Sequence, residues 1–219
     1  MPCAPAPVRS SVFTSRFSMQ LHWSPKSPYV RKVMICAHEL QLTQQLQLVR
    51  SVAAMLKPNA ALMQDNPLSK IPTLILDDGR TLFDSVVICE YLDDLASGSL
   101  FPREGDARWA ALRWHALGDG LLDALILWRN ERERAVPLAA LLAAFEHKTR
   151  ASLDLLEGEV PALEARAFGI GHLTLVCALG YIDYRFDTLG WREQAPQLAA
   201  WFAKMQQRPS VAATEPVDG

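Results

Sequence analysis

The apolar positions of this chain change their period along its length. In "MQLHW" they alternate, which predicts a strand over Met19–Trp23. Ser24 and Pro25 then break the pattern. From Pro28 onward Val30, Val33, Met34 and Ala37 recur at helical spacing, predicting a helix from Pro28 to about Leu40. Pro28 suits the first helical position and Ser27 the cap before it. "QLQLV" alternates again and predicts a second strand. "NAALMQ" reads as a short helix, closed by Asn66-Pro67. Thr73–Leu76 and Thr81–Phe83 read as short strands around the hairpin signal Asp78-Gly79. Asp84-Ser85 then opens a helix carrying Val87, Ile88, Tyr91, Leu92 and Leu95.

The order strand-helix-strand-helix-strand-strand-helix predicts a small sheet with helices on its faces. "ASGSLFPREG" reads as a linker. Beyond it the apolar spacing is helical throughout, predicting helices over about Asp106–Arg134, Pro137–Glu157, Leu173–Phe186 and Pro196–Gln207. The expected division is therefore a mixed domain over 19–96, a linker over 97–105 and an all-helical domain over 106–219. The opening "MPCAPAPVRSSVFTSRFS" is rich in proline and serine and has no acid. It reads as a loose extension or as a start placed upstream of Met19, although its composition also admits a transit peptide.

Composition narrows the function classes. The 219 residues carry a formal net charge of -2 and half are apolar, so there is core enough for one large or two small domains. A pI near 6.2 supplies no basic face for nucleic acid or a membrane surface. No apolar run approaches the ~18 residues of a spanning helix. Cys3, Cys36, Cys89 and Cys177 form no C-x-x-C, and the last three fall in apolar helical patterns, as reduced core cysteines of a cytoplasmic protein would. No spacing of histidines or cysteines suggests a metal site.

Five stretches, taken together, resemble the glutathione transferase family: "SPYVRKV", "NPLSKIPTL", "FDSVVICEYL", "DGLLDA" and "ALGYIDYR". The resemblance runs from Met19 nearly to the C-terminus and is nearest to bacterial serine-type members akin to the tau and zeta classes. It implies a thioredoxin-like α/β domain followed by an all-α domain. It implies glutathione as co-substrate, no metal, a small hydrophobic electrophile as the second substrate, and a homodimer. Within that family Ser27 would be the hydroxyl that activates the thiol. Ile71 and a cis Pro72 would pair with the cysteinyl backbone of glutathione. Asp84 and Ser85 would hold its γ-glutamyl end, and Lys57 and Lys70 its glycyl carboxylate. Tyr29, Trp128 and Arg129 are candidates for the electrophile side, with core packing or a surface ion pair as the equal alternative.

Physical chemistry supports that assignment of roles. A helix start offers free N–H groups and positive potential to an anion, and Ser27 and Ser85 both stand at helix starts. Lowering a thiol from about 8.5 by two units needs about 2.7 kcal/mol of preference for the thiolate. One hydrogen bond to a charged group contributes about 1.5–3 kcal/mol, and a helix start roughly 0.3–1 more. A single hydroxyl therefore suffices as donor to sulfur, with no general base. Ser24 reads as a turn residue close enough to substitute for Ser27.

Some features point elsewhere. Gly118 and Gly120 each cost a helix about 1 kcal/mol, which suggests close approach of a ligand or a second subunit. Asp119 and Asp123 stand four apart and need partners or water. "RNERER" reads as a solvated helix face. The family's Ser/Thr-x-x-Asp capping box is replaced by a stretch with His172 and Leu175 in its place, so the cap is lost or rebuilt by His172. Serine at 27 argues against the thiol reductases and dehalogenases of this fold, which use a cysteine there, and the zeta isomerase run Ser-Ser-Cys is missing. Peroxidase activity follows from the same thiolate. A non-catalytic glutathione-binding or interaction protein on the same fold is the alternative class.

Overall fold

The computed structural model describes residues 19–218. The expectations for the N-terminal extension, including Cys3, lie outside them. Four strands form one sheet: β1 (Met19–Trp23), β2 (Leu46–Arg50), β3 (Thr73–Ile75) and β4 (Thr81–Leu82). Their order is β2-β1-β3-β4, with β1 and β2 parallel and the other pairs antiparallel. Two helices cover it, α1 (Pro28–Glu39) and α2 (Ser85–Leu95). The parallel pair β1/β2 needs a crossover, and α1 supplies it. This is the thioredoxin-like arrangement that the resemblance implies. The "NAALMQ" helix is a single 3-10 turn over Leu62–Gln64.

The helical region follows as α3 (Gly105–Arg132), α4 (Ala139–Glu164), α5 (Ile170–Arg185), α6 (Trp191–Gln194), α7 (Pro196–Gln206) and α8 (Pro209–Ala212). α4 runs beyond its expected end at Glu157, through Gly158 and Pro161. Leu153, Leu156, Val160 and Leu163 keep one stripe buried across both residues, and packing outweighs local propensity. The carboxylate of Glu157 then accepts the N–H groups of Gln197 and Leu198 at 3.0 and 2.8 Å, capping α7.

α5 is the axis of this region, and every residue from Ile170 to Ile182 is buried. Its altered cap is rebuilt by His172. Nδ1 accepts the Gly169 N–H at 3.3 Å, while Nε2–H donates to the Leu163 carbonyl at 3.0 Å. α3 lies tightly along α5. A Cβ on Gly118 would come 2.7 Å from Thr174 Cγ2, so the close approach that this glycine permits is to a helix of the same chain. Gly120 faces open space.

Two expectations for polar stretches change. "RNERER" is only partly solvated: Glu131 is buried and accepts the Leu138 N–H at 2.7 Å, closing the turn into α4. The segment 97–105 is anchored as well. Leu100 and Phe101 are buried, and their N–H groups donate to the Asp93 carboxylate at 2.9 and 3.1 Å. Cys36, Cys89 and Cys177 are free and buried, and burial pushes the Cys177 thiol up to about 12.

Candidate functional site

Topology gathers the candidate residues at one end of the sheet. β1 and β2 run parallel and end together, at Trp23 and Arg50. His22 pairs with Thr73, so the residues preceding β3, Ile71 and Pro72, stand beside the end of β1. Leu74 pairs with Leu82, so the residues following β4, Asp84 and Ser85, leave at that same end. Ser27 follows β1, Lys57 follows β2 and Lys70 precedes β3. Two helix N-termini and a proline-preceded strand thus meet where the parallel strands stop.

Ser27 caps α1: its Oγ accepts the Val30 N–H at 3.3 Å. A hydroxyl has one donor and two acceptor positions, so capping uses an acceptor and leaves the O–H for an anion. Among the described residues it donates to nothing else. Ser24 serves the turn, its carbonyl accepting the Ser27 N–H at 3.3 Å. At the second helix start Asp84 is the cap, its carboxylate accepting the Val86 N–H at 2.9 Å, and Ser85 is buried as the first helical residue. The Ile71-Pro72 bond is cis. Asn66, a signal of turn chemistry in the sequence, is buried and donates to the Lys70 carbonyl at 3.2 Å and to Thr73 Oγ1 at 2.9 Å, fixing the approach to Pro72. Lys57 and Lys70 are exposed on their loops.

The three electrophile-side candidates part company. Tyr29 hydrogen-bonds Asp123 of α3, and burial with that carboxylate raises its hydroxyl pKa far beyond the ordinary value. Arg129 Nη1 donates to the Tyr181 hydroxyl at 3.1 Å. Trp128 is turned elsewhere. It packs on Phe186 with ring centroids 4.6 Å apart and lines a cavity of about 400 Å³ shared with Leu142 and Arg150 of α4.

Sequence reasoning did not foresee the group behind Ser27. Lys32 is wholly buried on α1, and its ammonium donates to both oxygens of Asp119, at 2.6 and 2.8 Å, and to His115 Nε2 at 3.2 Å. Burial would raise the Asp119 carboxyl, but His115 and Lys32 outweigh it and hold it below the ordinary carboxylate value. α3 thus presents His115, Asp119 and Asp123, one turn apart, to Lys32 and Tyr29 of α1. The sequence signals were Asp119 between two glycines and its spacing of four from Asp123. His22 was also missed. Its Nε2–H donates to Asp65 at 2.9 Å and its Nδ1 stands 2.7 Å from Ser51 Oγ, tying the end of β1 to the segment after β2.

Residues 26–95 match the glutathione S-transferase N-terminal domain family. A relative from Escherichia coli K12, the uncharacterized GST-like protein YibF, is 30% identical over 205 residues, covering 90% of this chain and 98% of its own. The chain belongs to the glutathione transferase family. A solved structure of a family member from Pseudomonas fluorescens Pf-5 with bound glutathione is 44% identical, with a TM-score of 0.88 over 92% of this chain and 100% of that one. A second structure from that strain, with bound S-(propanoic acid)-glutathione, is 42% identical, with a TM-score of 0.84 and the same coverage. Membership accounts for the paired helix starts at the sheet end, a geometry suited to a ligand with separated anionic groups. No helix among the described residues is long and apolar enough to cross a membrane.

Proposed function

We propose that the chain is a serine-type glutathione transferase in which the Ser27 hydroxyl donates a hydrogen bond to the glutathione sulfur and holds it as thiolate. The observation that carries this reading is Ser27 Oγ at the start of α1, accepting from Val30 and keeping its proton to give. The thiolate then attacks a small electrophile, and a peroxide is a second acceptor for the same sulfur. The γ-glutamyl carboxylate sits on Ser85 and the free N–H groups of α2, and Asp84 faces the ammonium. The backbone of Ile71 pairs with the cysteinyl residue as an added strand would, and Lys57 and Lys70 meet the glycyl carboxylate. Tyr29 and Arg129 face the electrophile, while Trp128 stays with the core. The Pseudomonas fluorescens protein with S-(propanoic acid)-glutathione bound supports this reading, since a glutathione thioether is what a transferase makes.

The test is ultraviolet titration of the thiolate of bound glutathione, with turnover of an aryl halide and an organic peroxide measured beside it. Bound sulfur should titrate about two units below free glutathione, and Ser27→Ala should abolish that shift and most turnover while Ser24→Ala does little. Equal, small losses in both variants would reject Ser27. Glutathione bound without any thiolate or turnover would make the protein a binding module.

A further inference from the structure

Beyond Tyr29 the site turns polar. The Tyr181 hydroxyl, on α5, receives Arg129 at 3.1 Å and is also reached by Arg185. The end of α5 meets the start of α1 here, where Arg185 and Lys26, the residue before Ser27, share one carboxylate. Arg185 stacks on Tyr184 with its guanidinium 3.9 Å from the ring centre. The Nε of Arg185 is buried and, among the described residues, has no hydrogen-bond partner, whereas Arg129 is committed to Tyr181, to Asn130 Oδ1 at 2.8 Å and, through Nε, to Glu133 at 3.7 Å.

One carboxylate already rests here. Asp218, near the end of the chain, accepts a hydrogen bond from the Tyr184 hydroxyl at 2.5 Å. The same oxygen stands 3.6 Å from Lys26, the residue before Ser27, and 4.0 Å from Arg185. A single carboxylate thus spans from the start of α1 to the end of α5. Its side chain is 76% exposed, so the pairs that hold it are weak and easily exchanged. The other acids at this corner are engaged: Asp123 accepts from Tyr29, and Glu133 stands 3.7 Å from Arg129.

We propose that the electrophile taken by this site carries a carboxylate, held by Arg185 and Lys26 beside the Tyr184 hydroxyl, and that the tail carboxylate of Asp218 occupies that position until the substrate displaces it. The proposal rests on the transferase reading and names the class of its second substrate. Arginine suits the role, because its planar fork meets a carboxylate through two parallel hydrogen bonds. With an α,β-unsaturated carboxylate, the thiolate sulfur forms a C–S bond to the β-carbon. The π pair shifts to the α-carbon and the carboxylate, and the α-carbon then takes a proton from water. No group leaves. The charge that grows on the carboxylate lies against Arg185 and Lys26, which is where fixed cations lower a barrier.

The experiment is calorimetry on the full chain at neutral pH with glutathione, S-(2-carboxyethyl)glutathione and S-propylglutathione. The carboxylate thioether should bind about tenfold tighter than the neutral one. Arg185→Gln should bring the ratio close to one. Asp218→Asn, which removes the competing carboxylate, should raise it. If Arg185→Gln does not fold, the salt dependence of the wild-type ratio decides, since added salt should lower it. Glutathione bound with both thioethers equal, or a ratio indifferent to salt, would overturn this inference alone. Failure to bind glutathione at all would overturn the transferase reading and this one with it.

Discussion

Lys32 is an ammonium shut away from water, and its three donors are matched by Asp119 and His115. Removing one partner of such a pair strands the other, at a cost of about 3–5 kcal/mol, whereas replacing both by apolar groups often restores stability. Lys32→Met should therefore destabilise by an amount near that range in urea unfolding, less whatever water Asp119 can reach. Lys32→Met combined with Asp119→Leu should recover most of it. Additive losses in the double variant would show that the pair is not a unit. His172 makes a different prediction. Its two hydrogen bonds need a neutral ring with the proton on Nε2. Burial, with Arg208 and Arg166 nearby, holds its pKa below the ordinary value against the pull of the Leu163 carbonyl. As pH falls past about 6.5 the unfolded chain takes up this proton first, so stability is whole above that pH and declines on acidification until the folded ring titrates. His172→Gln keeps an acceptor for the Gly169 N–H and carries no proton to titrate. Stability measured between about pH 7.5 and 5 should slope more steeply in the wild type than in this variant; parallel slopes would remove His172 as the cause.

At the scale of elements, α3 and α5 show what a glycine does by where it points. A methyl on Gly118 meets Thr174 Cγ2 at 2.7 Å, whereas one on Gly120 meets nothing within 4 Å. Gly118→Ala should destabilise by about 1–3 kcal/mol through overpacking. Gly120→Ala should stabilise by up to about 1 kcal/mol through helix propensity alone. Thermal melts check both, and a destabilised Gly120→Ala would mean that a neighbour, such as a second subunit, packs there. The sequence made the elements legible because period and caps are local: β1, α1, α2 and α7 stand within a residue or two of their expected bounds. The two helix starts that frame the candidate site, at Ser27 and Ser85, were legible too. What stayed hidden was set by partners distant along the chain. Arg31 and Lys32 are charged residues among the apolar positions of α1, and only the arrival of α3 and α8 makes their surroundings an interior. Glu131 read as solvated because its acceptor role depends on where the next helix begins. Trp128 could be placed on either side of α3 until the turn of that helix against Phe186 was known.

At the scale of the molecule, the sheet and the helical region are joined through α1. Beside the Lys32 group, Arg31 donates to the Val211 carbonyl at 3.3 Å and passes Gly180, where a Cβ would come 2.2 Å from its Nη1. Glu39 receives Arg208 at 2.7 Å and Ser210 at 2.5 Å, and these bonds hold its carboxyl below the ordinary pKa despite burial. Asp93 clamps the segment between the two parts from the other side. A helix gripped on one face by the sheet and on the other by α3, α5 and α8 cannot leave one part without exposing the core of the other. The expected mixed and helical domains should therefore open as one cooperative unit, although their chain segments are separate. Native-state hydrogen exchange tests this directly. The slowest amides of β1, such as that of Leu21, and of α5, such as that of Leu175, should report the same opening free energy, and Lys32→Met should lower both equally. Were β1 to open at lower free energy than α5, the sheet would be a unit of its own. The hydroxyl of Ser27, on the first turn of α1, would then be held by the sheet alone.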